Sequence, residues 1–137
     1  NNGMLDMKHV LERFAVHYNE IYSDKDIKFL EEMGRKLFLL YLRPIINGVG
    51  HYYVEAQTRD ETRMDIVVDY FGKRYIIEMK IWRGAVYNEA GKKQLVDYLK
   101  AMNEDTGYLI SFCFNKNKDI GVNTEKLDGK TIVEAIV

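Results

Sequence analysis

Apolar residues recur at helical spacing over residues 5–21, at Leu5, Val10, Leu11, Phe14, Tyr18 and Ile21, which predicts an amphipathic helix. Ser23 and Asp24 then supply N-cap chemistry for a second helix over residues 25–46, with Phe29, Leu30, Met33, Leu37, Leu40 and Tyr41 inward. Pro44 is the only proline and loosens that helix's last turn, and Gly48 and Gly50 end it. The pattern next shortens to a period of two. "HYYVEAQT", "RMDIVVDY" and "RYIIEMKIW" predict three strands, the last two joined by a turn at "FGKR". "NEAGKKQLVDYLKAMNED" returns to helical spacing, with Leu95, Tyr98, Leu99 and Met102 inward. Gly84 and Gly91 bracket "AVYNEA", the expected connection from strand to helix. "GYLISFCFN" is apolar throughout and is expected at the centre of the sheet. Asp128-Gly129 signals a hairpin turn before a last strand, "TIVEAIV". The order α-α-β-β-β-α-β-β predicts an α/β (α+β) fold with a mixed central sheet flanked by helices.

One departure from the pattern carries chemistry. Glu78 and Lys80 interrupt the apolar run "RYIIEMKIW", and the strand period puts them on one face. Charged groups are seldom buried unless paired or metal-bound. A two-residue loop at Gly72-Lys73 would set Val67 opposite Glu78 and Asp65 opposite Lys80. Asp65, Glu78 and Lys80 would then share a face near one end of the hairpin. A three-residue loop would send Asp65 to the other face. Two carboxylates so placed form a hard oxygen site suited to Mg²⁺ or Mn²⁺. Such an ion polarises a phosphoryl oxygen, and a lysine beside it offsets charge on phosphorus. On a strand taken alone, a Glu and a Lys two apart are more often a solvated face or an ion pair.

Composition narrows the class. The 137 residues suffice for one core, and a chain 47% hydrophobic and 30% charged is globular. The 20 basic and 21 acidic residues give a net charge of −1, which argues against a strong free-standing nucleic-acid binder but not against a local basic patch. The single cysteine, Cys113, excludes a disulfide framework or a cysteine-rich zinc site, and in "SFCF" it reads as inert core. No signal peptide or membrane-length apolar run is visible, so a reduced cytoplasmic setting and no membrane partner are expected.

The segment "MDIVVDYFGKRYIIEMK" resembles the PD-(D/E)XK nuclease superfamily, in which an acid on one strand precedes a turn and a hydrophobic strand ending in E-x-K. The predicted αβββαβ core matches that restriction-endonuclease-like fold. "QLVDY" resembles the Q-x-x-x-Y element of the RecB-like branch. The run from "VEAQTRDETRMDIVVDY" through "GKKQLVDYLK" to "GYLISFCFN" is similar to the nuclease-like C-terminal domain of bacterial AAA-ATPase-like proteins. The resemblance covers residues 25–137, leaving 1–24 as an N-terminal helix and linker. It implies Asp65 and Glu78 as metal ligands with the Met79 backbone carbonyl, Lys80 as the catalytic lysine, and Gln94 facing the site with Tyr98 one turn on. Glu31 and Glu32 compete for the first-helix glutamate, with Glu32 favoured, and Glu55 is a further acidic candidate. The superfamily's leading proline is absent, because Met64 precedes Asp65.

The implied function is metal-dependent hydrolysis of nucleic acid, DNA before RNA. The alternative is a non-catalytic module that binds nucleic acid or docks on an AAA-type ATPase domain in the same chain or complex. Trp82 and Arg83 could stack on a base and hold a phosphate, and Lys92 and Lys93 could meet a phosphate backbone. Each also has a plain structural role: Trp82 as core, Arg83 as a loop charge, the lysines as a solvated helix face. His9, His17 and His51 have no metal-ligand spacing and are assigned no chemistry.

Overall fold

A computed structural model describes residues 5–21, 31–46, 50–56, 64–82, 84–113 and 120–137, with backbone only at 19–21, 31–35, 53–56, 64–65 and 81. Two helices, α1 (Met7–Ile21) and α2 (Glu31–Ile46), precede β1 (Gly50–Ala56), β2 (Met64–Tyr70) and β3 (Lys73–Ile81). Then come α3 (Ala85–Met102), β4 (Thr106–Phe112), β5 (Gly121–Leu127) and β6 (Lys130–Ile136). The strands form one sheet in the order β1-β2-β3-β4-β6-β5. The β1-β2, β2-β3 and β5-β6 pairs are antiparallel, while β3-β4 and β4-β6 are parallel. This is the mixed sheet with flanking helices expected from the sequence, and β4 is central.

Period-two alternation divides the sheet's residues between two cores. Ile66, Val68, Tyr75, Ile77, Met79, Ile110, Phe112, Val133 and Ala135 face α1 and α2, against Leu11, Phe14, Phe38 and Leu42. Ile76, Leu109 and Ile132 face the other way, against Leu95, Val96 and Leu99 of α3. α3 approaches β4 closely at Gly107, where a Cβ would lie 2.9 Å from a Leu99 methyl. Among the described residues the result is three layers, with α3 on one side of the sheet and α1 and α2 on the other.

The structure corrects four local expectations. Leu40, expected inward, is 67% exposed on α2. β5, "GVNTEKL", was not anticipated; it is an edge strand with Asn123 to Lys126 exposed, so it lacks the apolar alternation that marks a half-buried strand. "AVYNEA" is the first part of α3, not a connection, and Gly91 lies inside the helix. Gly84, with φ +101°, is the residue that turns the chain into it. Finally, the β2-β3 loop is Phe71-Gly72, both at positive φ, as a tight hairpin turn needs. Tyr70 therefore pairs with Lys73, where Phe71 with Arg74 was expected. Phe71 takes this conformation with its ring edge-on to Tyr70, centroids 5.0 Å apart.

Candidate active site

The corrected loop moves the pairing by two residues. Asp65 lies opposite Glu78, not Lys80, and Val67 lies opposite Ile76. A shift of two keeps face parity, so positions 65, 78 and 80 still share the α3 side of the sheet. Glu55 pairs with Asp65, which makes positions 55, 65 and 78 consecutive in one cross-strand row. The row continues through Leu109 to Glu134. Directly opposed residues have Cβ atoms about 4.5–5.5 Å apart, close enough for neighbouring carboxylates to share one ion.

Glu78 is fully buried and Lys80 is 3% exposed, so this strip is no solvated face. The Lys80 ammonium sits 4.1 Å from the Tyr87 ring centroid, a cation–π contact in a site shielded from water. Gly91, one turn along α3, makes room for the same side chain. A Cβ there would lie 2.6 Å from Lys80 Nζ and 3.1 Å from Cδ. Tyr87, Gly91, Gln94 and Tyr98 follow one another at spacings of four, three and four, one stripe of α3. Gln94 is exposed at the rim of this stripe, and Tyr98 packs half-buried against the Leu95–Leu99 core. The Met79 side chain fills the opposite core.

A second buried polar group lies beside the first on the same face. Ser111 pairs with Lys80 across β3-β4. Its hydroxyl donates to Glu134 Oε2 at 3.0 Å, and Asn88 Nδ2 donates to the same oxygen at 2.9 Å. Lys92 lies 3.3 Å from Glu134 Oε1 and also pairs with Glu125 and, at 3.4 Å, with Glu89. Burial alone would lower the Lys92 pKa; the hydrogen bond to Glu125 and the Glu134 and Glu125 charges outweigh it, so the pKa is raised. Lys92 is thus buried and engaged by three carboxylates, and is not part of a solvated helix face. Its neighbour Lys93 is exposed.

Glu134, Ser111 and Asn88 were missed in the sequence. The available signal was the one that marked Glu78: a lone carboxylate inside an apolar strand, here "TIVEAIV". Of the remaining candidates, Trp82 is half-buried, and its backbone N–H donates to the Phe112 carbonyl at 2.9 Å. Arg83 lies outside the described residues, as do the side chains of Glu31, Glu32, Glu55 and Asp65. Among the described side chains, no three His, Cys, Asp or Glu groups converge as a metal site. No helix among the described residues is long and apolar enough to cross a membrane.

Comparison with known proteins gives one finding. The family model of the PD-(D/E)XK nuclease superfamily matches residues 48–123, from the approach to β1 into β5. No curated protein and no solved structure matches.

Proposed function

Because the chain belongs to the PD-(D/E)XK nuclease superfamily, we propose that it hydrolyses phosphodiester bonds of nucleic acid, DNA first, at the strip beneath α3. The observation that carries this reading is the seat of Lys80: a buried ammonium two residues from a buried carboxylate, with Asp65 in register beside it. A fold spends stability to bury such groups, and functional sites are where that cost recurs.

The donor set suits a hard divalent cation. Asp65 and Glu78 would hold Mg²⁺ or Mn²⁺ together with the Met79 carbonyl, and Glu55 or Glu32 would support them. The chain's one cysteine, Cys113, is buried, so no exposed thiolate competes for the ion. When bound, the ion supplies Lewis acidity toward a phosphoryl oxygen. Lys80 offsets charge growing on the phosphoryl oxygens, in a water-poor site where that interaction is strong. Tyr87 and Gly91 fix where the ammonium sits. Gln94, at the rim, orients the attacking water or the nucleotide. The spacing of Gln94 and Tyr98 supports the RecB-like branch, and the likeness to AAA-ATPase-associated domains supports an ATPase domain in the same chain or complex.

The test is cleavage of linear, branched and single-stranded DNA and RNA with manganese, alongside manganese-dependent thermal melts. Lys80→Ala should keep the fold and the manganese shift but lose cleavage by on the order of 10²–10³. Asp65→Ala and Glu78→Ala should lose both. Equal cleavage by wild type and Lys80→Ala would refute the lysine's role. A wild type that cleaves nothing, alone or within a longer chain, yet binds nucleic acid or an ATPase would establish the non-catalytic module.

A further inference from the structure

The face of the sheet opposite Glu78 and Lys80 carries a cleft of about 790 Å³ between the start of α1, the end of α2 and the β2-β3 hairpin. That volume lies within the roughly 300–1,000 Å³ range of small-ligand sites. Its charge is one-sided: Lys8, Arg13 and Lys73 line it against a single carboxylate, Asp6. Asp6 is also committed, since its Oδ1 accepts the His9 backbone N–H at 3.1 Å as the helix cap. The three cations are exposed and make no ion pair among the described residues. In a protein of net charge −1, this is a local positive field.

The rest of the wall is aromatic. Tyr70 and Tyr108 are half-buried, each leaving part of its ring accessible. Tyr75 is buried and braces the floor: its hydroxyl accepts the Leu5 N–H at 3.0 Å, and Lys73 Nζ lies 5.6 Å from its ring centroid. Burial, with Tyr75 and Asp6 nearby, pushes the Tyr108 phenol up to about 12, so it remains a hydrogen-bond donor at neutral pH.

Aromatic faces interleaved with exposed cations recognise a base joined to a phosphate. We propose that this cleft is a second, non-catalytic site for nucleotide units, in which Tyr70 or Tyr108 stacks on a base while Lys73, Arg13 and Lys8 hold the phosphate. Lys73 lies five residues before Glu78 on β3, about 16 Å along the strand, and on the other face. The cleft therefore does not form part of the acidic row, and its role does not depend on cleavage at that row.

The experiment is fluorescence anisotropy of a labelled oligothymidylate about eight nucleotides long, a typical single-strand footprint. A chelator withholds the metal ion that cleavage at the acidic row would require, so the oligomer stays intact. The competitors are thymidine monophosphate and inorganic phosphate. Wild type should bind, and Lys73→Glu and Arg13→Glu should each bind about tenfold more weakly. Tyr70→Ala should lose on the order of tenfold through stacking. Melting curves confirm that each variant folds, and the two charge reversals at exposed positions serve if the tyrosine variant does not. Thymidine monophosphate competing as tightly as the oligomer identifies a free-nucleotide site; a tighter oligomer identifies a strand segment. The proposal is overturned if wild type does not bind, if both charge reversals bind like wild type, or if phosphate displaces the oligomer as well as the nucleotide does.

Discussion

Gly91→Ala tests whether α3 seats the lysine. The new Cβ would lie 2.6 Å from Lys80 Nζ, whereas ordinary contact begins near 3.4 Å, so the ammonium must retreat by about 0.8 Å. The clash is with the end of a flexible side chain, so the backbone need not move. Two stability terms then oppose each other. Replacing glycine inside a helix gains about 1 kcal/mol. Drawing Nζ off the Tyr87 ring costs about 1–2 kcal/mol in a desolvated site. The net change is within about 1 kcal/mol, a few degrees in Tm. Catalysis has no such compensation, since a misplacement near 1 Å can cost about 10²-fold. The expected result is a variant that melts near wild type and cleaves about a hundredfold more slowly. A cycle supplies a readout independent of turnover. In a Lys80→Ala background the space is empty, so Gly91→Ala should stabilise by the full ~1 kcal/mol of helix propensity. Additive melting shifts in the two backgrounds, or full cleavage by Gly91→Ala, would refute the seat.

Two further variants probe the groups around the sites. Glu134→Leu takes from Asn88 and Ser111 their shared acceptor and leaves Lys92 with Glu125 and Glu89, and should destabilise by about 2–3 kcal/mol in urea; an unchanged urea midpoint would contradict a structural role for this buried carboxylate. The Tyr108 phenol titrates near 12 in the fold against 10.0 ordinarily, so the unfolded chain loses its proton first. Its contribution is complete below pH 10 and is lost as pH rises toward 12. Tyr108→Phe should therefore flatten the alkaline fall in Tm between those values, and an unchanged slope would rule out this phenol as its source.

The α-α-β-β-β-α-β core was legible because each element satisfies its own period. That Glu78 and Lys80 share one face was legible too, since residues two apart on a strand do so whatever the strand packs against. The shared face of Asp65 survived an error in the turn, because sliding the loop by one residue changes the pairing by two. The register itself was not legible: it needed Phe71 at positive φ, a conformation its side chain disfavours and which the packed hairpin imposes. β5 escaped notice because an exposed edge strand needs no apolar alternation, and its pairing comes from β6. Lys92 looked like a surface lysine because the carboxylate that claims it most closely, Glu125, is 33 residues away on that same strand. Gly91 read as a turn residue because its use depends on Lys80 arriving from β3 beneath the helix. Local chemistry determined which groups this chain had to bury. The packing of α3 across β3, β4 and β6 decided which partners they met, because contacts between distant segments arise only once the layers close.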